Sequence, residues 1–222
     1  MAIIKGDARQ TSGVSRLGEG GEAYMRMLRD GTVGIADLIA LWSLEGRVFT
    51  ANAGTGTSAV TFGAGTLDLT EQDLIVVVPS GTAIIPLECN VVFDTLGTAQ
   101  IVEVVMQKGT GGVAGAGTSV TPKSSNENAG LSSACTVTSA CATGTALTAV
   151  DVEIWHDGAP LGITIATVGQ IRVQHAFRYS AKDSGCLQVV GPSEQLVVFA
   201  SAQAGVGFIS LKYVELPSSS IV

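Results

Sequence analysis

The stretch DLIVVVPSGTAIIPLECNVVFD, residues 73–94, is among the most hydrophobic parts of the chain, and Pro and Gly divide it into short pieces. Its strictly apolar run LIVVV, residues 74–78, is far shorter than the roughly 20 residues that a helix needs to cross a bilayer. From residue 87 the apolar side chains fall on alternate positions, as in a strand with one buried and one exposed face. Pro86 lacks the N–H that a ladder needs, so this strand is predicted to start at an edge or a bulge. The stretch therefore predicts a buried strand, a turn at PSGT (79–82) and a half-buried strand.

A period of two continues on both sides of this stretch, from Val48 to the C-terminal region. The runs are short and lie between turn-forming residues, a pattern that is typical of an antiparallel sandwich or barrel. The predicted fold class is therefore all-β. About ten strands are predicted, at residues 48–53, 59–62, 66–70, 74–78, 86–94, 100–108, 150–160, 170–180, 186–191, 195–203 and 207–216. The segment 150–160 is expected to end in an Asp-Gly turn.

One segment interrupts this pattern. Residues 109–149 are poor in charge and rich in Gly, Ser, Thr and Ala, which predicts a long loop with one hairpin at about residues 134–142. A loop of this length in a compact domain is usually functional or ordered by partners. The hairpin would place Cys135 and Cys141 across from each other. No signal peptide is apparent at the N-terminus and no two cysteines are spaced as CxxC, so the four cysteines are predicted to be reduced, and Cys135 and Cys141 are expected to be buried, inert thiols.

Residues 1–47 are predicted to form an N-terminal arm, separate from a β domain that spans residues 48–222. The segment 7–22 is rich in Gly, Ser and Arg, which favours an extended conformation, and residues 22–30 can form two helical turns. A second short helix is predicted in IADLIALWSL, residues 35–44. Its apolar stripe, which must lie against the body or against a neighbouring chain, consists of Ile35, Leu38, Ile39 and Trp42.

The charge is unevenly distributed along the chain. Residues 1–47 carry six basic and six acidic residues, whereas the remainder carries six basic and thirteen acidic ones and so accounts for the net charge of −7. Such an acidic chain is not expected to bind nucleic acid directly, because nucleic-acid binding needs Lys and Arg to replace counterions. Arginine forms planar, bidentate contacts. The predicted arm contacts to an acidic neighbouring subunit are made by Arg9, Arg16, Arg26 and Arg29.

The composition predicts burial beyond the fold of a single chain. Hydrophobic residues make up 46% of the sequence and charged residues 14%, against a usual charged share of about 25%. We expect an oligomer or a larger assembly, since exposed apolar surface usually marks a contact. The alternative is a monomer with a surface of Ser, Thr, Asn and Gly. No membrane association is expected.

Few residues offer catalytic chemistry. His156 lies in a predicted turn and His175 on an apolar strand face, where a histidine is more often structural than catalytic. GVAGAGTS (112–119) lacks the Lys of a phosphate-binding loop. The carboxylates are scattered and no metal-ligand set is grouped. We therefore predict no enzyme activity, no catalytic or metal-binding residues, no cofactor and no small-molecule substrate.

Four segments together resemble the jelly-roll virion proteins of tailed bacteriophages: LEGRVFTANAGTGTSAVTFGAGTLDLT, LIVVVPSGTAIIPLECNVVFDTLGTAQIVEVVMQKGTGG, GTSVTPKSSN and LVVFASAQAGVGFISLKYVELP. The resemblance covers roughly residues 44–217. It implies a jelly-roll-like β-sandwich body, self-association in which a trimer is one option, and contacts to other virion proteins. It also implies a location in the virion after assembly in the cytoplasm of a bacterial host, and no catalytic residues.

Three functions are weighed. The first is a structural protein of the virion, of the capsid-decorating type, which the arginine-bearing arm favours. The second is a receptor- or glycan-binding module of a phage tail or an adhesin, which exposed aromatic clusters would favour. The third is a hydrolase on a jelly-roll scaffold, which a convergent pair of carboxylates with a histidine would favour.

Overall fold

The structure is a computed structural model that describes residues 37–63, 67–95, 101–160, 176–201 and 205–220. Within these residues it has one α-helix, twelve β-strands and two 3-10 helices. The α-helix is α1 (Leu38–Leu44); the strands are β1 (Val48–Ala53), β2 (Val60–Thr61), β3 (Leu74–Val77), β4 (Thr82–Thr95), β5 (Ile101–Thr110), β6 (Ala116–Val120), β7 (Lys123–Ser124), β8 (Thr136–Ala142), β9 (Ala149–Pro160), β10 (Ala176–Ser180), β11 (Gln195–Ser201) and β12 (Val206–Pro217); the 3-10 helices are Glu127–Ala129 and Ser218–Ser220. The all-β fold class is confirmed.

The strands form two antiparallel sheets. Sheet 1 has the order β10-β4-β12-β1-β7, with β2 beside β12, and sheet 2 has the order β6-β8-β3-β11-β5-β9. Four of the pairs are nested in the sequence: β1 with β12, β3 with β11, β4 with β10, and β5 with β9. These nested pairs alternate between sheet 1 and sheet 2. The chain therefore forms one long hairpin, and the successive strand pairs of this hairpin lie alternately in sheet 1 and in sheet 2.

The opening stretch of the sequence supplies one strand to each sheet. Leu74, Ile75 and Val76 of β3 are completely buried because β3 lies between β8 and β11 and has both faces covered. The turn at 79–82 follows, and Gly81 has a φ of +87°, which favours glycine. The second strand does not begin at Pro86 but at Thr82.

Pro86 is tolerated inside β4 because of where its nitrogen points. Ile84, two residues earlier, donates its N–H to Val190 on the side away from β12. By the period of two, the nitrogen of Pro86 faces that side as well, where β10 has already ended opposite Glu88. The register of β4 against β12 shifts next to this proline, so the predicted bulge is present.

The main core lies between the two sheets. It contains inward-facing side chains of both layers, such as Phe49, Val91 and Leu211 from sheet 1 and Val104 and Leu196 from sheet 2. At one part of this core Phe93 makes edge-on contacts with Phe62 and Phe177, with ring centroids 5.0 Å and 5.9 Å apart. Burying each such side chain contributes roughly 1.5–3 kcal/mol, so this alternation stabilises the sandwich.

Both sheets also carry an apolar cluster on the outer face. On sheet 2, Ile75, Val105, Cys141, Val197 and Phe199 are covered by partly buried residues that include Ala114 and Leu147. On sheet 1, Val48, Ile85, Leu87 and Val214 are packed against Ile39 and Trp42 of α1. The helix and the segment between β5 and β9 thus cover parts of the sandwich that would otherwise be exposed.

The predicted long loop at 109–149 is wrong. Strands β6 and β8 lie in this segment and pair with each other, and β8 also pairs with β3, so they extend sheet 2. Residues 136–142 form a single strand rather than a hairpin; Cys141 lies in this strand and Cys135 directly before it, so they are not across from each other. The Gly, Ser, Thr and Ala residues of this segment lack a hydrophobic period, and this absence predicts a loop. Pairing of β8 with the buried β3 orders them as strands instead.

Three smaller strand predictions also fail within the described residues. Residues 67–70 and 187–189 are not in strands, and Val190 makes only an isolated bridge to Ile84. Strand β9 does not end at the Asp-Gly pair but continues to Pro160, because Asp157 and Gly158 pair with β5. Tertiary pairing has here overridden a local turn signal.

Candidate assembly surface and polar cleft

The uncovered part of the outer face of sheet 1 is built from three cross-strand rows, which we call the basic face. Opposed residues in adjacent strands share a face of the sheet. The first row is Lys123, Thr50, Lys212, Glu88 and Ser180; the second is Asn52, Ser210, Asn90 and Arg178; the third is Phe208, Val92 and Ala176. The rows follow directly on the apolar end that α1 covers. The first two rows are polar and the third is apolar, and only the strand order makes these residues neighbours.

Glu88 organises the charges of the basic face. Lys212 Nζ donates to one of its carboxylate oxygens at 3.0 Å, and Arg178 Nη2 lies 3.0 Å from the other. Asn90 Nδ2 donates to it as well, at 3.1 Å. The hydrogen bond from Lys212 and then that from Asn90 lower the pKa of Glu88, so the carboxylate stays charged. The two cations remain about half exposed or more.

A cleft of about 430 Å³ opens beside β1 at the margin of this face. Most of its lining residues carry a hydroxyl or amide side chain, and Lys123 is the one charged residue among the described residues that line it. Residues from three parts of the chain meet there, among them Thr50, Asn52, Ser58, Thr118, Ser119 and Lys123. Such a lining can donate and accept hydrogen bonds to a polar, uncharged or anionic ligand.

Strand β9 forms an acidic edge of sheet 2 that lies beside β10, where the rings of Trp155 and Tyr179 are 6.2 Å apart. It carries Asp151, Glu153 and Asp157, all exposed, and within the described part of the chain it pairs only with β5. Its register against β5 shifts twice, which leaves Asp151 and Ile154 without ladder partners. Bulges and charges of this kind oppose indiscriminate strand addition at an edge. A partner that meets this edge therefore contacts charged side chains rather than a regular row of unpaired backbone N–H and C=O groups.

Asp73 is a buried carboxyl at the entry to β3. One carboxylate oxygen accepts the N–H of Gly63 at 3.0 Å, and the other accepts the N–H of Ala200 at 2.6 Å. Burial raises the pKa of Asp73 to about 7, although the two N–H donors act in the opposite direction. This carboxyl joins the β2–β3 connection to β11.

A polar cluster fixes the segment before β8 to the end of β12. Glu215 accepts a hydrogen bond from the Ser133 hydroxyl, and its other oxygen accepts the Ala134 N–H at 2.9 Å. The Tyr213 hydroxyl lies 3.0 Å from Ser133 Oγ. Burial raises the pKa of both Tyr213 and Cys135, so neither is a ready base or nucleophile at neutral pH. The cluster thus has a structural role: it holds Ser133 and Ala134 against the end of β12.

The residues predicted for the arm and the helix are only partly described. Arg9, Arg16, Arg26, Arg29 and Ile35 lie outside the described residues. Ile39 and Trp42 pack together on the body, whereas Leu38 is 51% exposed. Whether any of these residues contacts another subunit stays a prediction.

The predictions for the two histidines and for the cysteines are met to different degrees. His156 is not in a turn but on β9, where its Nδ1 lies 3.3 Å from Glu153, and His175 lies outside the described residues. All four cysteines are free; Cys89, Cys135 and Cys141 are buried as predicted, and Cys186 is exposed. Burial raises the pKa of Cys89 to about 12, which makes it inert.

In the ranges that the structure covers, no three or more His, Cys, Asp and Glu side chains are grouped so that they could hold a metal ion. None of the helices in those ranges has the length and apolar character to span a bilayer.

Comparison with known proteins gives no relative. The chain matches no protein-family model, no curated protein and no solved structure at a significant level.

Proposed function

We propose that this chain is a non-enzymatic structural protein of a bacteriophage virion, of the capsid-decorating type. Its β domain is a jelly roll that self-assembles and docks on or within the particle. The observation that carries the proposal is the nested pairing of strands. The jelly roll is the fold of many viral capsid domains, and also of lectins and cupins.

The strand order supports the jelly roll in detail. In a jelly roll a long hairpin of eight strands is rolled into two sheets of four. The strands β10-β4-β12-β1 and β3-β11-β5-β9 form two such sets, and each nested pair lies within one sheet. The strands β6, β7 and β8 come between β5 and β9 in the sequence, at the tip of the hairpin, and are additions to this frame.

The surface supports assembly rather than catalysis. Large apolar side chains stay exposed on several elements, among them Leu44 (71%), Val113 (58%) and Val150 (47%). Such side chains together with a charged fraction of only 14% favour contact with other copies or other virion proteins. A fold alone does not give a function. The exposed apolar side chains and the low charged fraction therefore support the assembly role together with the strand topology.

The first test is sedimentation velocity of the purified chain across the micromolar range. We expect a defined oligomer that persists on dilution to low micromolar concentration. Mass spectrometry of purified particles of the encoding virus should then find the chain in many copies per particle. A monomer at every concentration, with no partner-dependent change, would contradict self-assembly, and absence from the particles would contradict the virion role.

A second candidate is a glycan-binding module, and the cleft of about 430 Å³ favours it. Its hydroxyl and amide lining suits a sugar, although the described lining has no aromatic ring for stacking. A glycan-array measurement separates the two functions. Binding that Asn52→Ala abolishes, while assembly is unchanged, would support the glycan-binding module over the assembly role for this surface.

A further inference from the structure

The charges of the described body are segregated onto two surfaces. The described residues include six basic side chains, and three of them, Lys123, Arg178 and Lys212, lie in the first two rows of the basic face. Glu88 is the acidic residue in the three rows, so the face has a net charge of 3 − 1 = +2. Asp94 lies beyond the third row, toward the end of β4.

The acidic edge has the opposite character. Asp151, Glu153 and Asp157 of β9, with Glu103 of β5 beside Gly158, give a charge of −4. No Lys or Arg occurs in β9, and His156 already lies against Glu153. In a body with fifteen acidic and six basic described residues, a face of +2 and an edge of −4 are strongly complementary.

Both surfaces also carry exposed apolar side chains. Val92 in the third row of the basic face is 42% exposed, and on the acidic edge Val150 and Val152 are 47% and 36% exposed. Protein interfaces commonly combine an apolar centre with a polar, charged rim. Each surface thus has the two components that a contact between proteins needs.

We propose that the basic face of one copy contacts the acidic edge of a second copy, in a head-to-tail arrangement. This rests on the self-assembly proposed above. A symmetric contact of basic face with basic face, or of acidic edge with acidic edge, would oppose like charges. Contact of a basic face with an acidic edge pairs opposite charges, and a head-to-tail arrangement whose rotation closes gives a ring. Like-charge juxtaposition across an interface costs several kcal/mol, so the charges disfavour both like-with-like arrangements.

The test is a charge-swap experiment on the full chain. Variant B, Lys123→Glu with Arg178→Glu, changes the basic face from +2 to −2 and leaves the Lys212–Glu88 pair intact. Variant A, Asp151→Lys with Asp157→Lys, changes the acidic edge from −4 to 0. The matched control is Glu127→Lys, which reverses an exposed carboxylate on a 3-10 helix outside both surfaces. Circular dichroism checks that each variant is folded.

Variants A and B are each expected to raise the dissociation constant of the oligomer at least about tenfold, as loss of close charge pairs does. An equimolar mixture of A and B should assemble better than either alone, because the B face is acidic and the A edge has gained lysines. Raising the salt to 0.5 M should weaken wild-type assembly, since screening shortens the range of these charges.

The outcomes distinguish this inference from the proposed function. An oligomer that neither variant weakens overturns the head-to-tail contact but leaves self-assembly standing, whereas a monomeric wild type overturns both. If A and B are weakened but do not complement each other, the two surfaces are not partners. If deletion of residues 1–30 removes the effect of variant A, the acidic edge binds the N-terminal segment, which also overturns the proposal.

Discussion

Asp73 is a buried ionisable residue that holds several segments of the fold together. Its carboxyl accepts the N–H groups of Gly63 and Ala200, and its own backbone bonds to β11 and to β8 through Val198 and Ala140. Three segments distant in the sequence therefore meet at one side chain. A buried, unpaired carboxylate is costly, which is why burial raises its pKa to about 7.

This pKa gives a signed prediction for stability. Because the folded pKa of about 7 exceeds the ordinary aspartate pKa of 3.8, the stabilising contribution of Asp73 is complete below about pH 4 and is lost as the pH rises through 7. Asp73→Asn should remove this dependence, which has a slope of at most about 1.4 kcal/mol per pH unit. Its amide can accept only one of the two N–H groups, so the variant should also be less stable at every pH. Urea unfolding between pH 4.5 and 8 measures both effects.

Asp68→Asn is the control, because hydrogen bonds from Thr70 lower the pKa of this exposed carboxyl. Its removal should change the pH dependence in the opposite sense and only slightly. Equal pH profiles for wild type and Asp73→Asn would show that the carboxyl titrates as in the unfolded chain.

At the scale of elements, α1 shows how a short helix is kept in place. Seven residues are too few for a helix to be stable alone. Asp37 caps its start by accepting the N–H of Ile39 at 3.0 Å. Asn126 Nδ2 donates to the Leu44 carbonyl at its end, at 2.7 Å. The remaining stabilisation comes from Ile39 and Trp42 packed on the outer cluster of sheet 1.

Trp42→Ala should therefore lower the free energy of unfolding by about 1–3 kcal/mol. This is less than the about 3–5 kcal/mol of a fully buried Trp, because Trp42 is only partly buried. Leu44→Ala is a matched control on the same helix, since Leu44 is 71% exposed, and it should change stability by less than about 0.5 kcal/mol. Denaturant unfolding of both variants is the measurement, and equal effects would mean that α1 does not depend on this contact.

At the scale of the whole molecule, the described residues form three apolar clusters, which use residues between Ile39 and Leu216. Residues 1–36 lie outside the described residues, and the hypothesis of a contact arm stays a prediction.

Deletion of residues 1–30 should leave the β body folded and weaken its assembly. Charge-assisted, bidentate pairs are strong, and the deletion removes Arg9, Arg16, Arg26 and Arg29. Circular dichroism reports the fold and sedimentation the assembly. A full-length chain with these four arginines changed to Gln separates charge from length. Unchanged assembly would refute the arm hypothesis, and an unfolded body would place the segment in the core.

The sequence by itself determined the strands in which apolar and polar side chains alternate. Strand β1 has the predicted bounds, and the alternation around residues 87–93 predicted which side chains of β4 are buried. These succeed because a two-residue period reflects burial on one face of the strand. The same logic failed for β6 and β8, whose Gly, Ser, Thr and Ala have no such period.

Only the tertiary structure decided which residues became neighbours. The row from Lys123 to Ser180 joins five strands, and its members are spread over 163 positions, from 50 to 212. Pairing between strands so far apart depends on the summed burial of two sheets, and no local pattern encodes it. The burial of Asp73 and the continuation of β9 through Asp157 and Gly158 have the same cause. Local chemistry predicted a turn at Asp157 and Gly158, and pairing with β5 overrode it.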